Sequence, residues 1–443
     1  MAQKHQIKVG IACIARKTFD FKAALEIFHS IQTSTLQKIS NIEWVIIPDL
    51  VIEIQDAQIA AHHLASQEID AFICLSGTFA LGHLILEFNK VLKKPILLWG
   101  LDELPYNGGK IRLNSVCGVN LNASNLYKAG VKDFHAIVGE KQSELENWLD
   151  AIRIITAFQT AHIGIIGYRA QGFFNLDVDE LDLYNQTGVL IDHYELSQVF
   201  QMPVEDSEIN SRKQQVIKIF DISQISEDQI EKVALLTAKF DQFMKANNLT
   251  TCAIRCWPEF AGTFGISPCA AMSILQSEGK IMACEGDILA SMSMLAHQAI
   301  GAETPFLADF SQVNFKEDFA LLWHCGVAPC NLWDEKCARS LDGYFAGGKG
   351  VTADFVMKPG EISLARIDYA PGEYRILLQK GLGIAMEKEL KGTYLKATFS
   401  SGVRPFMDKI VYNGIAHHIS VVYGNFIKPF EIFAKLKKWS TIF

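Results

Sequence analysis

Short apolar runs alternate with helix-spaced apolar stripes along the first third of the chain. Runs at 9–15, 44–47, 71–75 and 95–99 have strand length, and the stretches 21–38, 56–67 and 78–91 repeat apolar residues at helical spacing. Strands separated by helices predict a parallel sheet covered on both faces. A long helical stretch at 141–160 precedes a second set of strands at 162–168, 188–194, 252–256, 280–284, 305–307 and 321–323. Between these lie a Gly/Asn/Asp-rich loop at 169–177, a charged helical section at 205–247 and helices at 267–278 and 288–300. From about position 342 glycines cluster at Gly347, Gly348 and Gly350, and strand-like segments at 351–357, 362–369, 373–380, 392–399 and 418–422 replace helices. The predicted fold class is α/β, with two α/β domains on parallel sheets (1–155 and 156–340) followed by a β-rich, barrel-like C-terminal domain (341–443).

Composition narrows the function classes. A chain of 443 residues exceeds one ordinary core, and 49% hydrophobic against 20% charged residues excludes disorder. A net charge of −8 with one short basic tail (Lys435, Lys437, Lys438) argues against a nucleic-acid partner, and that tail reads as a solvated helix face. The longest charge-free stretch, 260–277, is broken by glycine and proline and does not read as a membrane span. The polar start, Met1 to Lys8, lacks a signal-peptide pattern. The ten cysteines form no C-x-x-C pair and sit mostly in apolar runs, as reduced buried thiols do. Together these features point to the cytoplasm. A thiolate site at Cys325 and Cys330, beside His324, is the weaker alternative.

Two carboxylates end apolar runs, Glu285 in Ala283-Cys284-Glu285-Gly286-Asp287 and Asp309 in Phe306-Leu307-Ala308-Asp309. His324 and the pair His417-His418 follow. Acids and imidazoles at strand tips suit a divalent cation, with a carboxylate left to move a proton. Each residue also has a plainer role. Glu285 fits a strand-end partner of an arginine such as Arg255, Asp309 a turn cap and His324 a core histidine, while Asp287 reads as the cap of a helix starting at Ile288. Because His417 and His418 precede a β run, their rings are expected on opposite faces, so that at most one enters a given site. Ser76-Gly77-Thr78 ends a strand and opens the next helix, as an N-cap at Ser76 or Thr78 or as a ring of outward N–H groups. Trp257 is either core or an apolar wall for a sugar, with Glu259 bonding hydroxyls.

Taken in order, Arg255-Cys256-Trp257-Pro258-Glu259-Phe260, Cys284-Glu285-Gly286-Asp287, Leu307-Ala308-Asp309, His324-Cys325-Gly326, the segment from Lys358-Pro359-Gly360 to Ala365-Arg366, and Gly414-Ile415-Ala416-His417-His418 resemble the L-fucose isomerase and L-arabinose isomerase superfamily. The resemblance runs from about Val9 to Gly424 and is densest over 255–324 and 347–418. It implies two α/β domains and a β-rich domain in a homo-oligomer, a trimer or hexamer whose active sites are shared between protomers. It also implies a Mn²⁺-type site, with Mg²⁺ or Co²⁺ as substitutes. Glu285 and Asp309 match the acidic ligands, His418 the C-terminal histidine and His324 the additional histidine of the arabinose branch, and His417 stays open as the alternative to His418. On the same resemblance Ser76 and Thr78 reach sugar hydroxyls of a neighbouring subunit, with Arg112 and Asn114 in support. The implied activity is aldose–ketose isomerisation of a free pentose or 6-deoxyhexose through an enediol, with Glu285 and Asp309 as both ligands and acid/base groups. The alternatives are a related metal enzyme on another sugar, such as an epimerase or an acidic-sugar isomerase, and a non-catalytic sugar-binding protein. No G-x-x-x-x-G-K-[ST] loop speaks for a phosphorylated substrate.

Overall fold

Five short strands form one parallel sheet in the computed structural model, which describes residues 3–139 and 141–443. They are β1 (Ile7–Ile14), β2 (Ile42–Ile46), β3 (Ala71–Ser76), β4 (Ile96–Gly100) and β5 (Phe134–Val138), in the order β2-β1-β3-β4-β5. Every residue of β3 and β4 is buried, which a sheet achieves only with both faces covered. The expected helix at 78–91 begins at His83 instead, behind Gly82. Thr78 Oγ1 accepts from the Arg16 N–H (2.8 Å) and Phe79 N–H donates to the Leu113 carbonyl (2.9 Å). These bonds tie 78–79 to other loops, so Ser76 and Thr78 do not cap the helix.

The contacts divide the chain into two compact units: 3–156 with the returning segment 428–439, and 157–427 with 440–443. The second unit holds a parallel sheet of β6 (His162–Ile166), β7 (Leu190–Tyr194), β8 (Thr251–Ile254) and β9 (Ile281–Cys284), ordered β7-β6-β8-β9. Its remaining strands are β10 (Phe306–Asn314), β11 (Phe319–His324), β12 (Ser340–Phe345), β13 (Gly350–Val356), β14 (Gly360–Ala370), β15 (Glu373–Ile384), β16 (Thr393–Phe399), β17 (His418–Tyr423) and β18 (Ser440–Ile442). They run β12-β13-β16-β11-β10-β17-β14-β15-β18, and β15 also pairs with β16. That pairing closes the strands from β16 round to β15 into a six-stranded barrel, with β12, β13 and β18 appended.

Strands near 305–307 and 321–323 were expected in the second parallel sheet, but they are the barrel strands β10 and β11. The reason is local. The link from Asn314 to Phe319 is a tight turn in which Asn314 Oδ1 accepts from the N–H groups of Lys316 and Glu317 (both 3.0 Å). So short a link joins antiparallel neighbours, whereas parallel strands need a long crossover. The charged section at 205–247 likewise splits into two helices, Asp206–Ile219 and Glu227–Ala246. Among the described residues no helix is long and apolar enough to cross a membrane.

Sheet and barrel share one apolar cluster, which includes Ile166, Ile254, Leu322, Leu377 and Val421. The helix Ile288–Ala299, which follows β9, is buried at every position but Gln298. A helix apolar on all sides belongs inside a core. One polar group on it carries a pH signature. His297 Nδ1 lies 2.9 Å from Ser420 Oγ, and burial pushes the imidazole down to about 3. The unfolded chain takes up that proton near pH 6.5, so stability is full above 6.5 and is lost as pH falls toward 3. The expected loss is about 1.4 kcal/mol per pH unit for this one group. Urea unfolding of His297→Gln at pH 7, 6 and 5 should give a correspondingly shallower acid limb than the wild type.

Candidate metal centre

The apolar run of β9 ends in a reversal that only certain residues allow. Glu285 (φ 63°) and Gly286 (φ 76°) both adopt left-handed backbone conformations. A Cβ on Gly286 would stand 2.5 Å from the Tyr168 carbonyl oxygen and 2.6 Å from Arg169 Cα. The turn is fixed by Gly286 N–H donating to Ile254 O and Ala170 N–H donating to Glu285 O, each at 3.1 Å. A left-handed glutamate is strained backbone, of the kind that collects at functional sites. It places the Glu285 carboxylate at the carboxyl ends of β6, β8 and β9, where ligands gather in parallel sheets.

The barrel supplies the other groups. Asp309 and His418 are direct register partners across β10 and β17, so both side chains stand on one face. His324 ends β11, the strand paired with β10, and its ring stacks on that of His418 with centroids 5.7 Å apart. His418 Nε2 lies 3.5 Å from Glu285 Oε2 and 3.8 Å from Asp309 Oδ1, and His417 Nε2 lies 3.0 Å from Glu285 Oε2. All four residues expected as ligands therefore come together, and His417 joins them. Among the described residues, Glu285, His417 and His418 form one group with donor atoms within 4.8 Å of one another, and Asp309, His324 and His418 form a second. No cysteine takes part in either group. The expectation that only one of the two adjacent histidines enters the site fails because His417 lies in the bend before β17, where strand alternation does not yet apply. Nor does Arg255 pair with Glu285, since its Nη2 is bound to Glu259 Oε1 at 2.9 Å.

Sequence reasoning found Asp287 as a cap and stopped there. Its Oδ1 does accept from the Ala290 N–H (2.8 Å), but its Oδ2 faces both His418 Nδ1 (3.0 Å) and Arg366 Nη1 (2.5 Å). The detectable signal was Arg366, a cation set inside the apolar strand β14.

Electrostatics separate the two outer carboxylates. Burial works against the Glu285 charge, yet the His417 hydrogen bond and the positive fields of His418, His417 and His324 prevail and hold it below the usual carboxylate range. For Asp309 burial wins over the same imidazoles, the Glu285 charge adds to it, and the group is held above its usual range. Asp287 is buried too, but Arg366 and His418 keep it far below. Burial lowers His324 to about 4 and also lowers His418. His417 is raised, since its bond to Glu285 outweighs burial. With His324 and His418 biased toward neutral and Glu285 toward its ionised form, these three tend to the protonation states that ligation requires.

The donors fit a hard or borderline divalent ion. Asp309 Oδ1 is buried without a hydrogen-bond partner, and so is His324 Nε2. Such orphans call for an explanation, and an ion is one. His324 fits less directly. Its Nδ1 lies 2.9 Å from the Cys325 N–H, which leaves the ring proton on Nε2. Ligation through Nε2 requires that proton on Nδ1, where Cys325 Sγ stands 3.2 Å away.

Of the expected substrate contacts, Trp257 is 39% exposed and its Nε1–H points to Glu285 Oε1 (3.5 Å), so it is not core. Phe173 meets it edge-on (6.1 Å) and stacks on His417 (5.4 Å). Glu259 is engaged by Arg255. Ser76 and Thr78 are fully buried in the other unit, where the Ser76 carbonyl accepts from Ser115 Oγ. In that unit Arg112 pairs with Asp20 (2.7 Å), and Asn114 is left-handed (φ 55°).

Residues 10–159 match the family model described as fucose/sulfoquinovose isomerase, N-terminal domain. Over that stretch the chain is similar to the fucose/sulfoquinovose isomerase family. Three curated relatives of this chain carry the name sulfoquinovose isomerase. The one from Priestia aryabhattai is 27% identical over 425 residues, 93% of each chain. Another, from Alkalicoccus urumqiensis, is 26% identical over 83% of this chain and 84% of its own. A third, from a Clostridium species, is 24% identical over 88% and 85% respectively.

Proposed function

We propose that this chain is a metal-dependent aldose–ketose isomerase acting on a free 6-deoxyhexose, with a sulfonated member of that class as its substrate. The observation that carries the reading is the pair Glu285 and Asp309, pushed to opposite protonation tendencies around His418. Two carboxyl groups separated in this way divide the work of base and acid. Glu285, held ionised, takes the proton from C2 of the aldose. Asp309, biased toward its proton, delivers one to C1, and the O2 hydroxyl proton ends on O1. Bound Mn²⁺, or Mg²⁺ or Co²⁺ in its place, would polarise the two sugar oxygens as a Lewis acid, held by Glu285, Asp309 and His418. His417 or His324 would complete the donor set. Trp257 and Phe173 offer apolar walls for the carbon chain. The same reading includes a trimer or hexamer with shared sites.

The relatives' name supports the sulfonated substrate, because sulfoquinovose is a 6-deoxyhexose with a sulfonate on C6. One observation favours a neutral sugar. The loop arginines flanking the site each carry their own carboxylate, Arg169 with Asp177 (2.5 Å) and Arg255 with Glu259 (2.9 Å). A screen of Mn²⁺-reconstituted protein on sulfoquinovose, L-fucose and L-arabinose, read as solvent deuterium entering C1 or C2, separates these readings. The expected result is a kcat/KM on sulfoquinovose at least about tenfold above that on the neutral sugars, equivalent to about 1.4 kcal/mol. The reverse order would select the neutral substrate. No exchange with any aldose or ketose would remove the isomerase reading.

A further inference from the structure

We propose that Asp287 is a positioning residue for the cluster: its second carboxylate oxygen fixes the ring proton of His418 on Nδ1 and turns the Nε2 lone pair toward Glu285 and Asp309. Capping the helix Ile288–Ala299 needs only Oδ1, and asparagine or serine would serve equally well there. What a cap does not need is a fully buried charge whose Oδ2 is shared between His418 and Arg366, itself 1% exposed. Burying such a pair is costly, so its presence asks for a purpose beyond the cap.

The tautomer follows from donor chemistry. An ionised carboxylate only accepts, so His418 Nδ1, 3.0 Å from Asp287 Oδ2, is the donor. Nε2 then has no proton to offer, yet it faces Glu285 Oε2 at 3.5 Å and Asp309 Oδ1 at 3.8 Å. Three lone-pair atoms turned toward one another form an arrangement that a cation relieves. The supporting charges continue outward. Arg375 Nη2 donates to Asp368 Oδ2 (2.8 Å), and Asp368 Oδ1 accepts from the Ala416 N–H (3.3 Å), which ties down the backbone just before the two histidines.

The inference rests on reading the cluster as a metal centre, but the proton can be located in metal-free protein. Asp287→Asn keeps an oxygen for the Ala290 N–H and presents an amide donor to His418 Nδ1, which reverses the tautomer. Because this change strands the Arg366 charge, the double variant Asp287→Asn/Arg366→Met serves as the folding control. Imidazole nitrogen-15 NMR of the wild type should place the His418 proton on Nδ1, and on Nε2 in both variants. Mn²⁺ titration should show affinity falling about 10- to 100-fold in both, including the double variant with its recovered melting temperature. Finding the wild-type proton on Nε2, or on both nitrogens at pH 7.5, would overturn the proposal. So would variants that bind Mn²⁺ as the wild type does. A wild type with the expected tautomer and no Mn²⁺ affinity would support the positioning role and remove the metal reading alone.

Discussion

Glu285→Gln is expected to reduce turnover by about a thousandfold or more, while the protein stays folded. Glutamine matches glutamate in shape, retains an oxygen for the Trp257 Nε1–H and leaves the strained turn unchanged. What disappears is the negative charge between His417 (3.0 Å) and His418 (3.5 Å), and with it the only outer carboxylate of the site that its surroundings hold ionised. Neither histidine nor Asp309 substitutes for it, because Asp309 is biased toward its proton. Two measurements separate the roles of Glu285. Deuterium exchange at C1 and C2 follows the proton, and Mn²⁺ titration follows the ligand. Turnover of Glu285→Gln within tenfold of the wild type would take Glu285 out of the proton transfer.

The second large effect is structural. Gly286→Ala should cost about 3 kcal/mol or more, from the left-handed backbone and from forcing a methyl into the 168–169 backbone. The nearest atoms are main-chain, the Tyr168 carbonyl oxygen at 2.5 Å and Arg169 Cα at 2.6 Å, so no side-chain rotation relieves the clash. Any relaxation must move the Glu285-Gly286 turn, and the carboxylate would move with it. Urea unfolding of Gly286→Ala beside Gly262→Ala tests this, since a Cβ at Gly262 meets nothing within 4 Å. The control should stay within about 0.5 kcal/mol of the wild type. Equal behaviour of the two variants would show that the turn is not constrained as described.

Where burial alone decides an element, the sequence was legible almost to the residue. The run at 71–75 is β3 (Ala71–Ser76) and the run at 95–99 is β4 (Ile96–Gly100), both fully buried. β5 (Phe134–Val138) has one buried residue in five and left no apolar run to find. Partner choice was the harder problem. β10 and β11 have the apolar texture of buried strands anywhere, and only the turn at Asn314 decides that they are an antiparallel pair. The site shows the same division. Strand-tip acids and imidazoles were visible, and the superfamily resemblance named four of the gathered residues. The second oxygen of Asp287 was not visible, because its partner His418 lies 131 positions away in the chain. That both adjacent histidines enter the cluster was missed by applying strand alternation one residue too early.

The returning segment 428–439 has a consequence for how the protein is made. Phe430, Phe433, Leu436 and Trp439 are buried, and the segment belongs to the unit built from 3–156. A ribosome delivers those side chains only after the whole barrel up to β17 has been translated. The first unit to leave the ribosome is thus among the last to be completed, against the usual N-terminal-first order of domain folding. A message truncated after codon 427 would leave its damage at the opposite end of the polypeptide, in the earliest-made sheet.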